Sequence, residues 1–254
     1  MTNVAIFAAS DLEYNLVKAI LSDWKAINYQ NQLLGGQGFC GNTLVELFCT
    51  KMGPKNATQQ AKIALDNTKA KIVIITGLAG GLSQECQQGD LVIYKNCYFL
   101  PSDNASLDSP INCDQKLTSL IINTLQSNSL TIHQGDGITL PWVVCKADQK
   151  KSLAKNYKTI AVDMESYQIL SAAKEKALPA TVLRVISDDA SGDLPNVNLA
   201  MNEMAEVNNL KMLVELAKHP ILAARFLLNL KKSISVLKDC LPKILNQSFQ
   251  EVLE

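Results

Sequence analysis

Arginine is nearly absent from this chain: Arg184 and Arg225 are the only two, so basic charge rests on lysine and few planar forks exist to clamp a phosphate. Net charge is absent too. Lys plus Arg and Asp plus Glu number 24 each, which leaves no overall field to draw in a polyanion, and nucleic acid is not an expected partner. Histidine is scarce, with His133 and His219 far apart, and the seven cysteines (Cys40, Cys49, Cys86, Cys97, Cys113, Cys145 and Cys240) form no CxxC pair. Their odd, scattered spacing suits reduced thiols in a cytoplasmic protein and offers neither a disulfide framework nor a zinc site; no metal and no cofactor is expected. Long apolar runs are missing as well. The most apolar late stretch, Pro220 to Leu230, is broken by Arg225, and the N-terminal MTNVAIFAASDLE lacks the basic start of a secretory signal and meets Asp11 and Glu13 at once.

What is present is core material: 47% of residues are hydrophobic against 19% charged, enough for one large α/β domain. Strand signals at Val4 to Ala9, Leu44 to Thr50, Lys71 to Thr76, Asp90 to Tyr94, Leu130 to Gln134, Thr159 to Val162 and Thr181 to Ser187 alternate with helical patterns. The helices are expected at Asp11 to Trp24, Pro54 to Asn67, Asp114 to Gln126 and Met164 to Ala177. Such alternation predicts a three-layer α/β sandwich, a sheet with helices on both faces. We expect a catalytic domain over residues 1–199 and a C-terminal helical extension over 200–254, broken near His219-Pro220 and Leu241-Pro242. Phe99 to Asn112, rich in Ser, Asp, Asn and Pro, reads as a surface loop and a candidate lid.

Five stretches have the residue types of a ligand site. GGQGFCG contains a formal G-x-G-x-x-G at Gly36, Gly38 and Gly41, but strand-like TLVELF follows it, so a glycine-rich hairpin is the better account. In IVIITGLAGGL a buried strand runs into Gly77, Gly80 and Gly81, where missing side chains let a ligand approach the backbone, or where the chain simply turns. TIAVDMES places Met164 and Glu165 at a helix start, where the dipole favours a carboxylate that accepts from a sugar's hydroxyls or merely complements the helix. TVLRVISDDAS carries Asp188 and Asp189 at a strand's carboxyl end, where open α/β sheets bind ligands; alternation turns only one of them inward, and we assign Asp188. Ser10-Asp11-Leu12-Glu13 has capping-box spacing, and the same Glu13 at the first strand's end is also a candidate to activate water.

Taken together and in order, the first strand followed by an acid at Glu13, MGPKNA, TGLAGG followed by GDLVI, VDMES and RVISD resemble the superfamily of nucleoside phosphorylases and nucleosidases over about residues 3–195. The resemblance implies a phosphorylase/hydrolase-like fold with a central mixed sheet, a homo-oligomer, and cleavage of the N-ribosidic bond of a purine nucleoside. It makes Met164 and Glu165 the ribose contacts, Asp188 the acid that protonates the leaving purine at N7, and Glu13 the water-activating base. It further implies that Gly77, Leu78, Ala79, Gly80 and Gly81 line sugar and base, and that Gly137 and Ile138 of GDGI lie where the family stacks on the base, although nucleosidases commonly have an aromatic residue in place of Gly137. Phosphorylases of the family hold phosphate, their co-substrate, with arginines beside the glycine turn; Ile75 and Leu78 stand there in this chain, which favours hydrolysis. SDDASGDLP with LAKHPILAARFLLNL resembles the hopanoid-associated phosphorylases, implying release of adenine from adenosylhopane or a related 5′-modified adenosine.

Such a bond breaks through a cationic sugar, so Asp188 is expected to carry a proton, by burial or beside the charge of Asp189, while Glu13 and Glu165 stay anionic. The rivals are a phosphate-dependent phosphorylase and a non-catalytic nucleoside-binding protein. In the tail, apolar residues from Leu210 to Leu241 recur at helical spacing among lysines. That pattern suits packing on the domain or on a second copy, and equally an apolar entrance for a lipid-bearing nucleoside with peripheral membrane contact.

Overall fold

The structure, a computed structural model, describes residues 2–29, 33–103, 105–126, 130–202 and 204–254. The chain begins with β1 (Asn3–Ala8) and α1 (Asp11–Ala19), then a meander of β2 (Ser22–Asn28), β3 (Leu34–Cys40) and β4 (Thr43–Cys49). Next come α2 (Pro54–Asn67), β5 (Ile72–Gly81), β6 (Leu91–Phe99), the short β7 (Ile111–Asn112) and α3 (Gln115–Gln126). The second half runs β8 (Ile132–Thr139), α4 (Ala147–Tyr157), β9 (Ala161–Asp163), α5 (Ser166–Glu175) and β10 (Ala180–Asp188), and closes with α6 (Asn209–Lys218), α7 (Pro220–Leu245) and α8 (Gln250–Leu253).

All ten strands join one mixed sheet in the order β10-β6-β8-β9-β5-β1-β4-β3-β2, with β7 on β6. β10 also pairs in parallel with β5, so β5, β10, β6, β8 and β9 form a closed ring while β1, β4, β3 and β2 extend from it as an open sheet. Alternation sets the layers: on β1 and β5, Val4, Ile6, Ile72 and Ile74 face one core with α1, α3 and the end of α7. Ala5, Phe7, Val73 and Ile75 face the other, against α2 and α5. Helices therefore cover both faces, the expected three-layer arrangement.

Local departures have local causes. The helix expected to reach Trp24 stops at Ala19, because Trp24 lies in β2 with its ring over Gly36 and edge-on to Tyr14. The glycine-rich segment is strand β3, whose hairpin to β4 turns at Gly41 with φ +56°. Strands β2 and β3 and helix α4 show no clear apolar period, and α4 buries Lys150 alone. His219-Pro220 does separate α6 from α7, with Pro220 in the first turn where its missing N–H costs nothing. The break expected at Pro242 does not occur; α7 continues to Leu245. Leu237, Cys240, Leu241, Ile244 and Leu245 pack into the first core, so the tail's far end is part of the sheet's own packing. Its near end is different: Leu210, Leu213, Ile221 and Leu228 are exposed. Among the described residues no helix is long and apolar enough to cross a membrane.

Candidate active site

A cavity of about 320 Å³ opens at the carboxyl ends of β1, β5, β9 and β10. Ends of neighbouring strands are where such sheets leave room for a ligand. Glu13, Leu78, Ala79, Gly80, Met164, Glu165 and Asp188, seven of the residues singled out from sequence, line it. Gly77, Gly81, Gly137 and Ile138 do not. Gly77, at φ +145°, is the floor beneath the carboxylates: any side chain there would collide with Glu13 and with the Arg184 guanidinium. Gly81 pairs with Ala161 at the joint of β5 and β9. The GDGI segment is the body of β8, where Gly137 makes room for the ring of Tyr94 and Ile138 is fully buried, so neither is placed to stack on a base. The chain just beyond β8 does line the cavity, with Trp142, Val143 and Val144. The candidate lid between Phe99 and Asn112 contributes no lining residue; Phe99 stacks on Tyr167, whose hydroxyl donates to the Ser109 carbonyl, and Asn104 lies outside the described residues.

Glu13 closes the capping box that its spacing predicted and also lines the cavity. Its Oε2 accepts from the backbone amides of Ala9 (3.1 Å) and Ser10 (3.0 Å) and from the Ser10 hydroxyl (2.9 Å), completing the capping box. Oε1 accepts from the Leu78 amide at 2.7 Å, which fixes the carboxylate between the ends of β1 and β5 at the cavity wall.

Glu165 stands at the N-terminus of α5, yet the helix start does not hold it ionised as expected. Burial first, then the neighbouring charges of Asp163 and Glu13, push its carboxyl up to about 8 against the pull of Arg184 and the Gly53 amide. That amide donates to Oε1 at 2.9 Å, and an Arg184 nitrogen lies 3.7 Å from Oε2. The capping is done by Asp163, whose Oδ1 accepts from the amides of Glu165 (3.0 Å) and Ser166 (2.9 Å). Asp163 also takes the Tyr94 hydroxyl at 3.0 Å and the Thr139 hydroxyl at 2.9 Å. Burial works to raise its carboxyl, but Arg184 and the donors from Ser166 and Glu165 hold it below the usual range. Sequence reasoning passed over Asp163 because an acid between strand and helix resembles any other cap; its five partners become visible only in three dimensions.

Asp188 and Asp189 divide as alternation requires. An irregularity in β10 after Ile186 brings Asp188 opposite Gly80 and into the cavity wall, while Asp189 turns away to Ser191 and Arg225. The charge next to Asp188 is not that of Asp189, as expected, but an ammonium: Lys150 Nζ lies 2.5 Å from its Oδ2, and the Ser187 hydroxyl donates to Oδ1 at 2.6 Å. Lys150 carried no signal in the sequence, being one of 22 lysines on a polar helix.

Both arginines are committed to carboxylates. Arg184 is buried between Asp163 (3.5 Å) and Glu165, with Nη2 donating to the Ser166 hydroxyl at 2.8 Å, and Arg225 reaches Asp189 at 3.2 Å on the surface. Neither is free to hold phosphate beside the glycine turn, and Ile75 is buried in the core.

Most of the remaining lining is apolar. Leu194, Val197, Met201, Val207, Met212, Phe226 and Leu230, all from beyond β10, belong to it.

Three comparisons bear on this arrangement. The family model described as Phosphorylase superfamily matches residues 3–218. The chain is 25% identical over 233 residues to a 5′-methylthioadenosine/S-adenosylhomocysteine nucleosidase of an Exiguobacterium species, covering 85% of this chain and 97% of that one. It is 23% identical over 200 residues to the aminodeoxyfutalosine nucleosidase of Campylobacter jejuni, covering 75% and 87%. In fold it matches the crystal structure of the Neisseria meningitidis 5′-methylthioadenosine/S-adenosylhomocysteine nucleosidase in complex with methylthio-immucillin-A, with a TM-score of 0.76 at 19% identity over 96% of this chain and 98% of that one.

Proposed function

Because the chain belongs to the phosphorylase superfamily, we propose that it hydrolyses the N-ribosidic bond of an adenine nucleoside bearing an apolar 5′ substituent and releases adenine. The observation that carries this reading is the division of one cavity into a wall of three carboxylates, Glu13, Glu165 and Asp188, and a wall of apolar tail residues. Breaking the bond leaves a cationic sugar and an anionic base, so a site needs carboxylates near the sugar and a proton donor near the base. In the proposal Asp188 protonates the purine at N7, Glu13 takes a proton from the attacking water, and Glu165 accepts from the ribose hydroxyls with Met164 against the sugar. Engagement of both arginines supports water over phosphate as the attacking group. The nucleosidases named above supply the first substrate to try, methylthioadenosine, and the tail resemblance supplies the second, adenosylhopane.

Adenine release from methylthioadenosine and from an adenosyl lipid, each with and without phosphate, tests the reading. Release without phosphate, with free sugar as product, is expected, and faster kcat/KM on the lipid-bearing substrate. Strict phosphate dependence with ribose 1-phosphate as product makes the protein a phosphorylase instead; binding without turnover makes it a nucleoside-binding protein.

Peripheral membrane contact belongs to the same proposal. Leu210 (71% exposed) and Ile221 (84%) carry the apolar wall outward to the surface, flanked by Lys211, Lys218, Lys231 and Lys232, and a lysine-edged apolar face suits a bilayer interface. Cosedimentation with anionic vesicles is expected. A stable homo-oligomer in solution that does not bind vesicles assigns this face to a second copy.

A further inference from the structure

Helix α4 packs Leu153, Ala154 and Tyr157 half-buried against the sheet, and the one residue it buries fully is a lysine. The Lys150 side chain is wholly enclosed, and its ammonium has three acceptors: Asp188 Oδ2 at 2.5 Å, the Asp189 carbonyl at 2.7 Å and the Gly192 carbonyl at 3.2 Å. An enclosed ammonium is tolerated only when fully partnered, and here the partners are the candidate acid and the loop that follows it. Both oxygens of Asp188 are occupied by donors, Lys150 on one and the Ser187 hydroxyl on the other. A proton destined for a departing base therefore has the ammonium as its adjacent source.

We propose that Lys150 is a positioning residue that loads Asp188 with the proton given to the leaving purine, a role that rests on the nucleosidase reading of the cavity. As the bond between the sugar C1′ and the base breaks, its electron pair goes to the base. N7 takes a proton from the Lys150–Asp188 pair, Asp188 receiving the lysine's proton and Lys150 ending as a neutral amine. The water oxygen bonds to C1′, and the proton it sheds goes to Glu13. Adenine and free sugar leave, and the proton gained by Glu13 and the one lost by Lys150 are exchanged with solvent before the next turnover. The other charged or titratable groups around the pair are Cys145 before α4, and Asp189 and Asp193 after β10, the last two held by Arg225 and Lys146; Glu13 and Glu165 stand in the same cavity.

The mechanism has a pH signature. With the ammonium removed, Asp188 has to draw its proton from solvent, whose supply falls tenfold with each pH unit, whereas the adjacent ammonium makes the wild type independent of that supply. Wild-type kcat on methylthioadenosine is therefore expected to fall less steeply with rising pH than that of a variant lacking the ammonium. Lys150→Met, and Lys150→Gln as a second variant, are expected to keep KM within about threefold and to lose kcat by roughly tenfold per pH unit on the alkaline side, reaching about 10²–10⁴-fold. A merely structural lysine would lower kcat by the same factor at every pH, and that outcome, or profiles superposable on wild type, overturns the proposal. Should neither variant fold, the wild-type profile decides, since loss of kcat already between pH 5 and 7 overturns it. A wild type that releases no adenine from any nucleoside removes the nucleosidase reading, and the proton role with it.

Discussion

The two walls of the cavity are built on opposite principles. The carboxylate wall stands at the end of β10 and at the helix starts that follow β1 and β9, each acid tied by hydrogen bonds to backbone amides or neighbouring side chains: Glu13 to Leu78, Glu165 to Gly53, Asp188 to Ser187 and Lys150. The facing wall comes from a late segment with few such ties, in which α6 buries only Glu215 and several large apolar side chains remain exposed. On the proposed function the contrast amounts to a division of labour: chemistry is held where the fold is over-determined, and choice of substrate is left to side chains that can vary without disturbing it.

The severest test of that division falls on the carboxylate wall. Asp188→Asn and Glu13→Gln are each expected to lose about 10²–10⁴-fold in kcat, equally on methylthioadenosine and on an adenosyl lipid, with adenine binding retained. Steady-state kinetics on both substrates checks this, and an Asp188→Asn enzyme with wild-type turnover would falsify the acid assignment. Next in size is the fastening of the other wall. Leu241, fully buried at the far end of α7, is expected to cost about 2–5 kcal/mol when cut to alanine, measured by denaturant unfolding, while the ratio of activities on the two substrates stays put. Cutting the chain after Ala205 is consequently a poor way to remove the apolar wall, because it also removes core.

Substitution within that wall is the sharper instrument. Phe226→Ala is expected to raise KM for the lipid-bearing substrate by about tenfold to a hundredfold and to leave methylthioadenosine kcat within about twofold. Equal losses on both substrates would show that the tail serves packing alone.

The smallest effect expected is a proton. With its carboxyl raised to about 8, Glu165 is largely protonated at pH 7, and accepting two ribose hydroxyls expels that proton. Calorimetry in buffers of different ionisation heat should record proton release on binding a riboside analogue and none on binding adenine; affinity for the riboside should rise from pH 6 to 8 and level off above. Stability runs the other way. A carboxyl whose folded value is raised binds more protons in the native state than in the unfolded one, so its contribution is full below about 4.5 and is lost as pH rises through about 8.

Local pattern made much of this wall readable from sequence. Alternation along a strand separates Asp188 from Asp189, the S-x-x-E spacing puts Glu13 at the start of α1, and buried β-branched runs mark β1, β5 and β10. What stayed hidden depends on meetings far apart in the chain. Lys150 and Asp188 are 38 residues apart, Tyr94 reaches Asp163 across 69, and no local period announces either. Gly137 misled for the same reason: a glycine in GDGI resembles a ligand loop until the ring that fills its missing side chain is seen to be Tyr94 of a neighbouring strand. The tail's helices were plain from their spacing, but which half packs on the sheet and which half roofs the cavity was not, since both carry the same repeat of leucines.

The closed circuit of β5, β10, β6, β8 and β9 also governs how copies of this chain can meet. A ring leaves few unpaired amides and carbonyls, so the half of the sheet that bears Asp188 and Glu165 offers little to a foreign strand. Among the described residues, the one long free edge is β2, at the opposite end of the sheet order. That edge is blunted by an irregular register between Ser22 and Lys25, by Asp23 in a left-handed backbone conformation, and by the lysine itself. Aggregation by strand addition is thereby steered away from the cavity end of the sheet and hindered at the long border that β2 leaves open to it.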